Sequence, residues 1–286
     1  MSVMQDMGAR AMALGIPLSV QLDLTYRCNE RCIHCYLDHE DHGEMTTAEI
    51  LGLLDQLAAA GVFFLNVSGG EIFMRPDLFT IIEHARKLQF SVKLKTNGVM
   101  IREAKARRIA ALGVEAVQIS LYSHDAATHD EITKLRGSFK RTVEGARLLR
   151  DAGVKVIFAN VLMQQNADHY KQVQALAAEM GIRYEVDATI TPMMDGDRGI
   201  VALNMDGGRL AAIMHDTTLL GDQAERLLAA PSGPTPLDEA YKTLPCSAGH
   251  TACYVSPYGD VFPCVQFPFK VGNVREQAFI DIWKHS

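Results

Sequence analysis

Hydrophobic and polar positions along the first two thirds of the chain follow two alternating patterns. Short apolar runs rich in leucine and β-branched residues are typical of buried strands, and between them apolar residues recur at helical spacing. Strands are predicted over residues 18–25, 62–67, 90–96, 114–121, 154–163 and 182–191. Helices are predicted over residues 45–61, 75–89, 102–113, 139–153 and 167–181. Four of these helices end at a glycine that leads into the next strand: Gly61, Gly113, Gly153 and Gly181.

Regular alternation of strand and helix predicts an α/β fold with a parallel sheet and right-handed crossovers. The pattern leaves two architectures open, an open doubly wound sheet and a closed or partial barrel. In both architectures ligands bind at the carboxyl ends of the strands. Side chains that directly follow a predicted strand are therefore the first candidates for a functional site.

The alternation stops after residue 192, and the remaining chain divides into three parts. Residues 207–230 have a helical pattern, and residues 230–236 read as a linker rich in Pro, Gly and Ser. From Cys246 onward, a hairpin with its turn at 258–260 is predicted, followed by a turn and a short helix over 271–283. The predicted domains are a lead-in (1–17), an α/β core (18–200), a helical linker (201–244) and a cysteine-rich module (245–286).

Composition narrows the class of protein. The chain has 286 residues, a net charge of −6 and a pI near 5.9, so no basic excess indicates a nucleic-acid partner. No apolar run approaches the roughly 20 residues of a membrane helix, and the N-terminus does not have the pattern of a signal peptide. We therefore expect a cytoplasmic protein without membrane partners. In that compartment thiols stay reduced, and six cysteines in two groups indicate metal binding.

The first cysteine group directly follows the first predicted strand, with C-x3-C-x2-C spacing. Its members are Cys28, Cys32 and Cys35. A structural zinc site normally has four ligands, which would require a nearby histidine such as His34, His39 or His42. Three thiolates can instead hold a [4Fe–4S] cluster and leave one iron open for a small ligand.

This motif, at the head of a β/α repeat, resembles the radical S-adenosylmethionine (SAM) superfamily. In that family an aromatic residue usually precedes the third cysteine, where this chain has His34. The resemblance implies a partial (β/α)6 barrel of the TIM type, with a [4Fe–4S] cluster whose open iron is chelated by SAM. Reductive cleavage of SAM would then give a 5′-deoxyadenosyl radical that abstracts hydrogen from a substrate.

Several strand ends resemble SAM-binding segments of the same family. The "SGGE" segment over 68–71 resembles the Gly-Gly-Glu segment that holds the amino group of SAM, although Ile72 follows where proline is common. Each of these positions also suits a simple turn or an exposed loop. The cofactor-binding residues implied by resemblance are Gly69, Gly70, Glu71, Asn97, Ser120 and Arg136.

The second cysteine group comprises Cys246, Cys253 and Cys264. The spacing from Cys246 through Gly259 to Cys264 resembles the opening of the auxiliary-cluster extension of the SPASM and twitch subfamilies. This resemblance implies a second iron–sulfur cluster held by the three cysteines. A full SPASM extension has further cysteines that this chain lacks, so the predicted module is incomplete. A zinc-ribbon-like site that adds His250 is the alternative.

The resemblance also implies substrates and partners. Proteins with this extension mostly modify ribosomally made peptides or proteins, so a peptide or protein maturase is predicted, together with an electron donor of the flavodoxin or ferredoxin type. A tetrapyrrole-modifying oxidoreductase of the haem-synthesis type is the alternative. A non-catalytic zinc-binding protein is the alternative from another class.

Overall fold

The computed structural model describes residues 3–220 and 246–285 and contains all six predicted strands. The strands are β1 (Ser19–Asp23), β2 (Phe64–Ser68), β3 (Ser91–Thr96), β4 (Ala116–Ser120), β5 (Val156–Val161) and β6 (Arg183–Asp187). The helices of this region are α1 (Val3–Leu14), α2 (Thr47–Ala59), α3 (Leu78–Lys87), α4 (Glu103–Leu112), α5 (Ala126–Thr133), α6 (Ser138–Asp151) and α7 (Tyr170–Glu179). The five predicted helices correspond to α2, α3, α4, α6 and α7.

The six strands lie side by side in chain order and are all parallel. A doubly wound sheet reverses its strand order at a switch point, and no such reversal occurs among β1–β6. Right-handed crossovers in a constant direction place every connecting helix on the same face of the sheet. This arrangement is the partial barrel of TIM type, which selects one of the two architectures left open by the sequence.

The two faces of the sheet differ in chemistry. Apolar strand residues such as Val20 and Val92 pack in one large cluster with helix residues such as Leu54 and Ile109, and all four are fully buried. Alternate strand residues point to the other face, where polar side chains predominate. The outer face therefore provides the hydrophobic core, and the inner face is left for ligands.

The C-terminal segment extends the same sheet. The predicted hairpin is present as β7 (Ala252–Val255) and β8 (Asp260–Phe262), and β9 (Gly272–Asn273) follows. Strand β7 pairs in parallel with β1, so β1 lies between β2 and β7. The terminal helix α10 (Phe279–His285) packs on α2, where the Phe279 amide donates to Gln56 Oε1 over 2.8 Å. The module is thus anchored on the strand that precedes the first cysteines.

Short sequence motifs account for most of the positions at which the helices begin and end. Thr46 caps α2 in a capping box with Glu49, and the four predicted terminal glycines all have positive φ. Helix α5 was not predicted, because its eight residues carry too few apolar positions to show a period.

The segment after β6 is only partly described. Its helical pattern is present as α8 (Gly207–Met214) and α9 (Thr217–Leu220). The remainder of the predicted helix and the linker over 230–236 lie outside the described residues. Within the described residues, none of the helices combines the length and the apolar character required to cross a membrane.

Two glycines inside helices provide a test of the packing. Gly145 in α6 is buried, and a Cβ there would lie 2.5 Å from the Gly98 carbonyl oxygen, whereas a Cβ at Gly52 in α2 meets nothing within 4 Å. We expect Gly52→Ala to raise the free energy of unfolding by up to about 1 kcal/mol through helix propensity. Gly145→Ala should lower it. Urea titration of both variants measures the difference, and equal shifts would contradict the packing of α6 on the β3–α4 connection.

Candidate functional site

A cavity of about 500 Å³ lies at the carboxyl ends of the parallel strands. Every strand from β1 to β6, or the loop after it, contributes to its lining, as expected for the ligand side of such a sheet. The C-terminal module also reaches it, through Val265 and Gln266. One cavity is therefore shared by the barrel and the module.

The first cysteine group lines this cavity. Cys28, Cys32 and Cys35 are all half-buried in the loop after β1. Backbone hydrogen bonds of 3.0 Å from Arg31 and Ile33 to carbonyl oxygens at the end of α5 hold the loop in place. Burial raises the pKa of Cys28 to about 12 and that of Cys35 to about 11, so these thiols stay protonated without a cation. Iron supplies the positive charge that deprotonates a coordinating thiol, and the donor set suits an iron–sulfur cluster.

Gly69 and Gly70 hold this loop by close backbone contact. The Gly70 amide donates to the Thr25 carbonyl oxygen over 2.8 Å. A Cβ at Gly70 would lie 2.6 Å from the Tyr26 carbonyl oxygen and overlap that of Arg27. Gly69 has a φ of +130°, and a Cβ there would overlap the Thr25 carbonyl oxygen. Both glycines also line the cavity, so they combine support of the cysteine loop with access for a ligand.

Glu71, a predicted SAM-binding residue, has its carboxylate surrounded by donors of the protein. Its carboxylate is fully buried and is not part of the cavity lining. It accepts hydrogen bonds from the Phe73 amide (3.0 Å), the Asn97 amide (2.9 Å) and the Thr96 hydroxyl (2.8 Å). Both oxygens are thus engaged by the protein. Glu71 is a positioning residue that joins the turn after β2 to the end of β3, and this geometry does not support contact of its carboxylate with SAM.

The remaining predicted cofactor residues divide between the cavity and the surface. Asn97 and Ser120 line the cavity, and Asn97 Nδ2 donates to Asn29 Oδ1 over 2.8 Å beside Cys28. Arg136 is exposed in the turn between α5 and α6 and is not among the residues that line the cavity, so this geometry does not support its predicted contact with SAM. The left-handed residues Lys134 and Gly137 flank that turn, and its position away from the site is decided by α5, which the sequence pattern did not reveal.

Several residues that line the cavity were not predicted as cofactor or metal ligands, among them Glu30, His34 and Lys95. Glu30 is buried between two of the cysteines, and burial raises its pKa to about 8. His34 packs edge-on against Tyr122 with ring centroids 4.8 Å apart. Lys95 lies on the inner face of β3, and the alternation of polar and apolar residues in the sequence of that strand indicated the direction of its side chain. The positions of Glu30 and His34 between the cysteines indicated that they lie near the site. Only the fold shows that their side chains are buried.

Comparison with known proteins identifies the family. The model of the radical SAM superfamily matches residues 22–177, which is more than half of the chain. The chain belongs to the radical SAM superfamily. A second model, that of the SPASM iron–sulfur cluster-binding domain, matches residues 246–286. The resemblances carried by the two cysteine groups are both confirmed.

Relatives of this radical SAM protein have different substrates. The AdoMet-dependent heme synthase of Methanosarcina barkeri is 30% identical over 94% of this chain and 83% of the relative. The PqqA peptide cyclase of Xanthomonas campestris is 33% identical over 94% of this chain and 74% of the relative. The crystal structure of Streptococcus suis SuiB bound to its precursor peptide SuiA has a TM-score of 0.73 at 20% identity, covering 96% of this chain and 67% of that one. This structural likeness shows the fold, a radical SAM partial barrel with a C-terminal SPASM domain.

The structure separates the three cysteines of the SPASM segment. Cys246 is exposed and Cys264 is half-buried in the loop after β8. Cys253 belongs to the hydrophobic core on the outer face of β7, in one cluster with Val255 and Val261. Enclosure of its thiol by apolar side chains favours a packing role for Cys253 over its predicted role as a cluster ligand. The spacing of the sequence alone cannot distinguish a core cysteine from a ligand on a strand.

The contact beneath the cysteine loop can be tested with a single methyl group. Gly70→Ala should displace the loop after β1, because the new Cβ overlaps two backbone carbonyl oxygens. We expect reconstituted protein to contain less iron and to bind SAM at least tenfold more weakly. Gly207→Ala is the matched control, since a Cβ there meets nothing within 4 Å. Unchanged iron content and SAM affinity in Gly70→Ala would show that the loop tolerates displacement.

The two cysteines of the C-terminal hairpin should differ in their effect on metal content. Cys264→Ala should lower iron from about eight to about four atoms per chain, if each of two clusters holds four. Cys253→Ala should leave iron unchanged and lower the free energy of unfolding by about 1 kcal/mol through lost packing. Iron and sulfide analysis after anaerobic reconstitution measures both. Loss of iron in Cys253→Ala would show that Cys253 is a cluster ligand.

Proposed function

We propose that this radical SAM protein is a maturase that modifies a ribosomally made peptide or protein. The observation that carries the proposal is the shared cavity, in which the three thiols of the barrel loop and the Val265–Gln266 segment of the SPASM module face the same space. A relative named as a peptide cyclase, at 33% identity, supports a peptide substrate. An opening at the barrel mouth suits an extended chain that enters from solvent.

The chain's own residues have distinct roles in this proposal. Cys28, Cys32 and Cys35 hold the [4Fe–4S] cluster, and Gly69 and Gly70 support their loop. The cluster and SAM, when bound, supply hydrogen-atom abstraction from the substrate. Enclosure by the barrel keeps water away from the reacting carbon. Cys246 and Cys264 are proposed ligands of an auxiliary cluster in the SPASM module, which we assign to the predicted range 245–286.

A reducing partner and compartment complete the proposal. Cleavage of SAM needs one electron from outside the chain, and a small protein of the flavodoxin or ferredoxin type fits that requirement. We propose the cytoplasm as the location, because iron–sulfur clusters and free thiols persist in a reducing compartment.

A tetrapyrrole substrate is the second candidate, because the heme synthase of Methanosarcina barkeri is 30% identical over most of both chains. Tetrapyrroles of haem synthesis carry several carboxylates. Among the residues that line the cavity in the described part of the chain, Glu185 and Asp187 are carboxylates, and Lys95 is the only Lys or Arg. Glu30 also lines the cavity, but its raised pKa of about 8 favours the neutral acid near neutral pH. This balance of charge disfavours a polyanionic ligand and favours the peptide.

The proposed activity predicts two coupled results. Reconstituted protein with dithionite should cleave SAM to methionine and 5′-deoxyadenosine, and a short precursor peptide, where one is encoded beside its gene, should change in mass. Cys32→Ala should abolish both, because two remaining thiolates do not hold a stable cubane. Liquid chromatography with mass spectrometry measures both products. A mass change in a haem precursor, with none in the peptide, would replace the maturase by the second candidate.

A further inference from the structure

The inner face of the sheet forms the floor of the cavity. Gln21 on β1, Lys95 on β3, Gln118 on β4 and Glu185 on β6 all line it. Lys95 and Gln118 occupy one register level, and Gln118 Nε2 donates to Glu185 Oε2 over 3.1 Å. This floor is made of long polar side chains, unlike the apolar layers that fill a closed barrel. It can therefore meet a ligand with directed hydrogen bonds.

Lys95 is the cation of this floor. Its ammonium has three N–H donors, and within the described part of the chain it donates to one acceptor, Gln21 Oε1, over 3.0 Å. It forms no ion pair with any described carboxylate. Burial lowers its pKa, as expected for a charge with incomplete solvation. Two N–H donors thus have no hydrogen-bond partner among the described residues.

Three acidic residues, Asp23, Asp187 and Glu185, contribute negative charge near the ammonium without an ion pair to it. Asp23 is fully buried on β1, and its carboxylate accepts hydrogen bonds from Tyr254 over 3.0 Å and from Gln21 over 3.2 Å. Its negative charge stabilises the ammonium without occupying its donors. A charged lysine in a buried cavity is unfavourable unless a partner completes its contacts. The described residues leave that last partner to be supplied by a ligand.

We infer that Lys95 binds a carboxylate of the substrate, either the C-terminal carboxylate of the peptide or the side chain of an Asp or Glu within it. This inference rests on the proposed function, because it names the group of the peptide that enters the cavity. Lys95 precedes Thr96 and Asn97, which contact the Glu71 carboxylate and the cysteine loop. A carboxylate held there places its adjacent carbon atoms in the same cavity as the cluster ligands.

A lysine with a purely structural role would be satisfied by Gln21 and the charge of Asp23. That alternative makes a distinct prediction, since removal of the ammonium would then alter stability and leave ligand affinity unchanged. The two roles are separated by ligand binding, measured without turnover.

The experiment uses the full chain, reconstituted anaerobically, and four neutral-capped probes. N-acetyl-Ala-Ala and its C-terminal amide test the terminal carboxylate, and N-acetyl-Glu-amide and N-acetyl-Gln-amide test the side chain. Dissociation constants are measured by titration for wild type, Lys95→Met, Lys95→Arg and Lys93→Met. Lys93 is the matched control, because it lies on the same face of β3 and does not line the cavity.

We expect wild type to bind one carboxylate probe at least tenfold more tightly than its amide, and the preferred pair identifies the source of the carboxylate. Lys95→Met should remove this preference, Lys95→Arg should retain part of it, and Lys93→Met should keep it. Equal affinity for acid and amide in both pairs, or an unchanged preference in Lys95→Met, would overturn the inference. Probe binding needs no turnover, so either result leaves the maturase proposal to be judged by the mass of its peptide product.

Discussion

Backbone contact between the turn after β2 and the segment after β1 underlies the whole site. Gly69 and Gly70 bring this turn so close to residues 25–27 that no side chain fits between them. The cysteine loop begins at the next residue, so the same contact sets where three thiols enter the cavity. Glu71 then extends the contact to the end of β3 through its hydrogen bonds to Thr96 and Asn97. Two neighbouring strand ends and the cluster loop are in this way one rigid unit.

The division of the sheet into two faces explains how a stable core and a polar cavity coexist. Helices cover the outer face, and the residues that pack there are fully buried and apolar. Among the described residues no helix covers the inner face, so its side chains can be long and polar and keep donors for a ligand. Lys95 and Gln118 belong to that face. Substrate chemistry can vary through these inward residues while the core that holds the barrel stays unchanged.

Pairing of β7 with β1 gives the C-terminal module a fixed place. The Tyr254 hydroxyl joins this strand to Asp23 on β1 and to the Tyr26 hydroxyl, 2.7 Å away. These buried hydrogen bonds connect the SPASM segment to the strand that carries the first cysteines. The loop after β8 consequently reaches the cavity at Val265 and Gln266. Both cysteine groups are therefore positioned by β1. The first group follows the carboxyl end of β1, and the second belongs to the segment of β7, the strand that pairs with β1.

Sequence by itself determined the six strands and the five helices between them, the four glycine helix ends and the first cluster motif, because strand periodicity, capping and C-x3-C-x2-C spacing are local signals. It also indicated the hairpin of the module. Tertiary structure decided that the sheet is a partial barrel, that Glu71 is enclosed, that Arg136 lies outside the site and that Cys253 belongs to the core. These outcomes depend on which residues from distant segments become neighbours. Burial and hydrogen-bond partners are set only when the strands assemble, and they cannot be read from the spacing of residues along the chain.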